Sequence, residues 1–168
     1  MAALIAVAPE IRWPIRVAGD AAFEKDVVAT PLDPGAGDLT LLGRLDDSAM
    51  AVAYAAAAIY ALPARYEPFG LSVLEAATHG CALVLGDIGS LRESWSGAAV
   101  FVPPDDRAAL AAALRRLIDD AGLRERLGEA ARGRSREFST AAMGDRYRAL
   151  YRKLARDARR EGGITCAS

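Results

Sequence analysis

"IYALPARYEPFGLSVLEAATHGCALVLGD", Ile59 to Asp87, holds a complete strand–loop–helix–strand unit. "IYALPA" is apolar on both faces, the pattern of a parallel strand covered on both sides. A short loop follows, and helical sequence from about Ser72 to His79 ends at Gly80, placed as the C′ glycine of a helix. "CALVLGD" is a second buried strand. Two parallel strands joined by a helix define an α/β unit and predict a doubly wound sheet.

The same alternation extends outward. Residues 2–11 read as a helix, and "WPIRVAGD" as a strand closing on Gly19 and Asp20. The Pro-, Gly- and Asp-rich "TPLDPGAGD" reads as a loop, and "LTLLG" as a strand ending at Gly43. Asp46, Asp47 and Ser48 offer caps for an alanine-rich helix running to about Ala58. "AAVFVPP" supplies another strand. Beyond Pro104 the pattern is helical throughout: Leu110, Leu114, Leu117 and Ile118 form one stripe, capped by Asp105 or Asp106. A second helix carries Leu123 and Leu127. A third, from near Ser139, places Met143, Tyr147, Leu150, Tyr151 and Leu154 on one face. The expected division is one domain over 1–155 and a polar tail over 156–168.

Composition narrows the function classes. Of 168 residues, 52% are hydrophobic and 26% charged, and the formal net charge is −1. That balance exerts no overall pull on nucleic acid or anionic membrane. The apolar run Ala49–Leu62 is too short to cross a bilayer and reads as a core helix entering a strand. Cys81 and Cys166 show neither a disulfide framework nor metal-ligand spacing, so a cytoplasmic setting is expected. One histidine, His79, excludes His-rich metal or triad chemistry and sits where a helix C-cap is expected. Trp13 and Trp95 read as core or rim packing.

In doubly wound sheets, ligands bind beyond the carboxyl ends of the strands. The loop after "IYALP" is such an end. There the amides of Gly70, Leu71 and Ser72 are expected to point, unpaired, into the crevice as an anion site. Glu67, at the crevice edge, reads equally as a helix cap or as a ligand-contacting carboxylate. Glu75 is the only charged residue between Pro68 and Gly86, on a helix expected to be largely buried. An unpaired carboxylate there is costly. It is explained either by a buried ion pair with an arginine or by hydrogen bonds from vicinal hydroxyls such as those of a ribose.

"PARYEPFGLSVLEAATHGCALVLGDIGSLRES" resembles the donor-binding half of retaining glycosyltransferases of the GT-B fold, the group that includes glycogen and sucrose synthases. The signature is a glutamate, seven residues, then a second glutamate, with Phe-Gly-Leu between: Glu67, Phe69, Gly70, Leu71, Glu75. "LLGRLDD", "AAVFVPPDDRAAL" and "FSTAAMGDRYRALYRKL" extend the likeness over nearly the whole chain. The resemblance implies a nucleotide-diphosphate sugar as donor, no cofactor, and no required metal. It implies that Glu75 binds ribose hydroxyls and that Glu67 contacts the transferred sugar or supports the transition state. Phe69, Gly70 and Leu71 amides would hold sugar and diphosphate, with Gly43, Arg44 and Gly19 near the base. "GDIGSLRES" departs from the family's Gly-x-Pro-Glu, with Arg92 at the proline position. Paired carboxylates also suit glycosidases, but here they flank a nucleotide-type helix terminus. A sugar-nucleotide epimerase would need its own histidine and acid set.

The likeness also implies pieces that this sequence does not contain: an N-terminal acceptor-binding domain, and an opening strand followed by an Arg and a Lys for the diphosphate. The alternative reading is therefore a non-catalytic nucleotide-sugar-binding or interaction module. In the strand order 3-2-1-4-5-6 the opening strand is central. Its lack predicts an empty slot between "PIRVAG" and "IYALP".

Overall fold

The computed structural model describes residues 2–19 and 38–161. Asp20, Cys166 and nearly all of the "TPLDPGAGD" loop lie outside them.

Helix α1 (Ala2–Val7) continues into a short 3-10 turn, Ala8–Glu10, and leads to strand β1, Ile15–Ala18. Strand β2 (Leu39–Gly43), helix α2 (Asp47–Ala56), strand β3 (Ile59–Leu62), helix α3 (Leu71–Thr78) and strand β4 (Ala82–Gly86) follow. Helix α4 (Gly89–Trp95) and strand β5 (Ala99–Val102) complete the α/β part. Helices α5 (Arg107–Asp119), α6 (Ala121–Ser135) and α7 (Thr140–Glu161) form the helical third. Four of these starts have visible chemical causes: Asp46, Asp106 and Asp120 each accept an amide hydrogen bond at the start of α2, α5 and α6, and Ser139 does so for α7. The alanine-rich helix stops at Ala56, earlier than expected, since Ala57 is already extended.

Every strand pairing is parallel, and the sheet is split. β1 pairs with β2, β3 pairs with β4 and β4 with β5, but no pairing joins β1 to β3. Instead β1 and β3 border one cavity of about 640 Å³. The gap expected between these two strands is seen among the described residues.

Alternation along β4 divides the core. Ala82 and Val84 pack with Val7, Leu110 and Leu117 on the α1/α5 side, whereas Leu83 and Leu85 pack with Val73, Leu91 and Trp95 on the other. All five β4 residues are buried, which is why the strand reads as a continuous apolar run. Leu110, Leu114, Leu117 and Ile118 are buried as their stripe predicts. The corresponding stripe on α7 is not: Met143, Tyr147, Leu150, Tyr151 and Leu154 all face solvent. Helicity also runs past Arg156 to Glu161, into the stretch read as a polar tail. No helix among the described residues is long and apolar enough to cross a membrane.

Candidate functional site

The chain runs from β1 outward to β2, then returns to β3 on the far side of the slot and proceeds through β4 to β5. The reversal of direction is the topological switch, where doubly wound sheets bind ligands outside the strand ends. Two groups of sequence-predicted residues lie at carboxyl ends of the bordering strands. The first is at β1 and β2, where the Gly19 amide donates to the Gly43 carbonyl at 2.8 Å. Gly43 turns with φ +65°, and Arg44 beyond it is exposed. The second, after β3, holds Glu67, Phe69, Gly70, Leu71 and Glu75.

Gly70 is the N-cap of α3 with φ +81° and is buried. Its amide, expected to be unpaired, is not free. It donates to Glu67 Oε1 at 2.8 Å, and the Phe69 amide reaches the same oxygen at 3.4 Å. Glu67 thus caps the helix through one carboxylate oxygen, and a carboxylate has acceptor sites on both. Of the three amides expected to be unpaired, this leaves those of Leu71 and Ser72. The Glu67 backbone is fixed in turn, because Ser90 Oγ donates to its carbonyl at 2.6 Å. Phe69 packs edge-on to Phe138 with ring centroids 5.7 Å apart, and Phe138 lies against Trp95 at 5.6 Å. The loop is therefore anchored to both the core and the α6–α7 corner.

Glu75 is exposed, which corrects the expectation of a largely buried helix. α3 buries Val73, Ala76 and Ala77 and turns Leu71, Glu75 and Thr78 outward, at helical spacing. The apolar content of the helix hid this face, since alanine and leucine occupy both sides. Among the described residues no ion pair involves Glu75, so the arginine clamp is absent. Its carboxylate stands near Tyr54 of α2. Burial first, then the neighbouring Tyr60 and Glu75, raise the Tyr54 phenol well above its usual range. Around this face Tyr66, Phe69 and Leu71 also expose apolar surface.

Sequence reasoning missed several supporting residues. Tyr60 Oη donates to Ser72 Oγ at 2.8 Å, tying β3 to the first turn of α3. The available signal was a tyrosine inside an apolar strand, whose hydroxyl needs a partner. Arg65 pairs with Asp105, linking the β3 loop to the turn after β5. Helix α4 was also missed. Arg92 within it pairs with Asp87 and lies 4.7 Å from the Phe101 ring centroid, so this unexpected residue braces its own loop. His79 is the C-cap of α3, its Nδ1 2.9 Å from the Glu75 carbonyl, as expected. Trp95 is core, and Trp13, half-buried, lies under the Arg124 guanidinium at 4.9 Å.

A split parallel sheet with a helix N-terminus and two carboxylates at its switch point defines an α/β domain of the doubly wound class. Residues 6–134 match the family described as Glycosyl transferases group 1. The chain belongs to that family, and its fold is half of a GT-B fold. Glycogen synthase of Mycobacterium tuberculosis is 41% identical over 95 residues, 55% of this chain and 23% of that protein. Sucrose-phosphate synthase of Thermosynechococcus elongatus superposes with a TM-score of 0.77 at 28% identity, over 92% of this chain and 42% of that one. HepE of Anabaena, solved with UDP and glucose, gives 0.76 at 20% identity over 91% and 44%. The chain spans less than half the length of each.

Proposed function

We propose that this chain is the donor-binding half of a retaining glycosyltransferase, which moves a sugar from a nucleotide-diphosphate sugar to an acceptor. The observation that carries the reading is Glu75: an exposed carboxylate, with no ion-pair partner among the described residues, on a helix that starts at the sheet's switch point. A carboxylate in that position accepts two vicinal ribose hydroxyls, one on each oxygen. The Leu71 and Ser72 amides, at the positive end of α3, face the diphosphate and stabilise the charge that grows on it as the sugar–phosphate bond breaks. Glu67 keeps Oε1 on the Gly70 amide and offers Oε2 to a hydroxyl of the transferred sugar. Gly19, Gly43 and Arg44 border the base. Acceptor binding belongs to the rest of such an enzyme, outside these residues. The presence of UDP in a solved structure of the same fold supports a nucleotide ligand of this kind.

Calorimetric titration with UDP tests the assignment. Losing hydrogen bonds to a charged acceptor costs about 1.5–3 kcal/mol, so Glu75→Ala is expected to weaken UDP binding roughly 10- to 100-fold. The 2′,3′-dideoxy analogue should bind wild type and variant equally. The reading fails if Glu75→Ala lowers the melting temperature while UDP affinity stays at the wild-type value.

A further inference from the structure

The backbone of Glu75 is held in place. Thr78 Oγ1 donates to its carbonyl at 2.7 Å, and His79 Nδ1 lies 2.9 Å from the same oxygen. Along α3 and its C-cap, Ser72, Glu75 and His79 follow at spacings of three and four, so they share one face. Both ends of that row meet aromatic side chains. Tyr60 Oη donates to Ser72 Oγ at 2.8 Å, and the Tyr54 ring lies 5.7 Å from the His79 ring. The Tyr54 and Tyr60 rings are themselves 5.9 Å apart. Tyr54, buried on α2, therefore spans the two ends of a row whose middle member is Glu75. The Tyr60 hydroxyl is committed to Ser72, which leaves the Tyr54 hydroxyl for the carboxylate beside it.

We propose that Tyr54 is the positioning residue for Glu75: its hydroxyl donates to the Glu75 carboxylate and holds it in the orientation that receives the ribose hydroxyls. The inference deepens the nucleotide-sugar reading and rests on it. Burial first, then Tyr60 and Glu75, push the Tyr54 phenol up, so it keeps its proton at neutral pH and faces the carboxylate as a donor. Its ring contacts on two sides keep that donor in one place. A glutamate side chain gives up rotamer freedom when a ligand orders it, and one that is ordered beforehand gives up less on binding. A carboxylate has roughly four acceptor sites, so one phenol proton leaves room for two ribose hydroxyls.

Calorimetry with UDP and its 2′,3′-dideoxy analogue reads the preference for ribose hydroxyls. Tyr54→Phe keeps the ring and removes only the hydroxyl. It is expected to reduce the preference for UDP over the analogue roughly three- to tenfold, with affinity for the analogue at the wild-type value. Added to Glu75→Ala, it should change neither affinity further, because the group it acts through is gone. Tyr54→Met, which also lacks the hydroxyl, serves the same comparison if the phenylalanine variant does not fold. The inference is overturned if loss of the hydroxyl weakens both ligands alike, the mark of a packing role. It is also overturned if the preference stays at the wild-type value in Tyr54→Phe while Glu75→Ala abolishes it. A preference that survives Glu75→Ala itself sinks the nucleotide-sugar reading, and this inference with it, so the two failures are told apart.

Discussion

At the residue scale, the site depends on one backbone conformation. Gly70 holds φ +81°, and a Cβ built on it would stand 2.9 Å from Val73 Cγ2. Any other residue must adopt a left-handed backbone and push Val73 away, in a helix turn whose first amides are proposed to hold the diphosphate. Gly70→Ala is expected to cost about 1–3 kcal/mol of stability, read from urea unfolding. It should also reduce UDP affinity through the displaced Leu71 and Ser72 amides. An alanine variant as stable as wild type would show that the left-handed cap is not held in solution. Glycine at this point was legible in the sequence because it stands between a strand end and a helix. The partition of the two glutamates was less so. The sequence placed Glu67 at the crevice edge without separating a cap from a ligand group, and it put Glu75 on a helix face expected to be buried, which is exposed. The Glu67–Gly70 hydrogen bond that makes Glu67 a cap depends on the path of the loop, not on composition.

At the element scale, β3, β4 and β5 were legible as uninterrupted apolar runs, most plainly β4, whose five residues are all buried, whereas β1 and β2 keep exposed positions and showed themselves mainly by the glycines that end them. Periodicity located α5, whose leucine stripe is buried. It failed on α4, where seven residues give barely two turns and Arg92, Glu93 and Ser94 interrupt the pattern. It gave only half the truth on α7. The stripe is there, with Tyr147 and Tyr151 stacked at 6.4 Å, but it faces solvent. A sequence pattern specifies that a face is apolar and says nothing of what covers it. The consequence is measurable. Leu150→Ser with Tyr151→Ser should change unfolding free energy by no more than about 0.5 kcal/mol per substitution, as for exposed positions generally. The pair should also raise solubility by removing part of an exposed apolar stripe. A loss of several kcal/mol would mean that α7 packs on the domain through this face.

At the scale of the whole molecule, the missing pairing between β1 and β3 among the described residues agrees with the gap that the family resemblance implied between those two strands. Beside that gap lies a cluster of groups that resist ionisation. Burial pushes the Cys81 thiol up, and the thiol donates to the Ala57 and Tyr54 carbonyls at 3.3 and 3.4 Å. Burial likewise raises Tyr54 and Tyr60. The sign follows from proton binding. Each group keeps its proton in the folded state at a pH where the unfolded chain has lost it, so the folded state binds more protons and stability falls as pH rises. The contribution is complete below the ordinary values, 9.0 for the thiol and 10.0 for the phenols, and declines above them. Urea midpoints should therefore be level from pH 7 to about 8.5 and then drop, first from Cys81 and later from the tyrosines. Tyr60→Phe, which removes one ionisable group and the bond to Ser72, should lower the midpoint at pH 7 and make the drop above pH 10 shallower. A midpoint that stays constant to pH 10.5 would mean that water reaches these groups through the slot and that they ionise in the folded chain as freely as in the unfolded one.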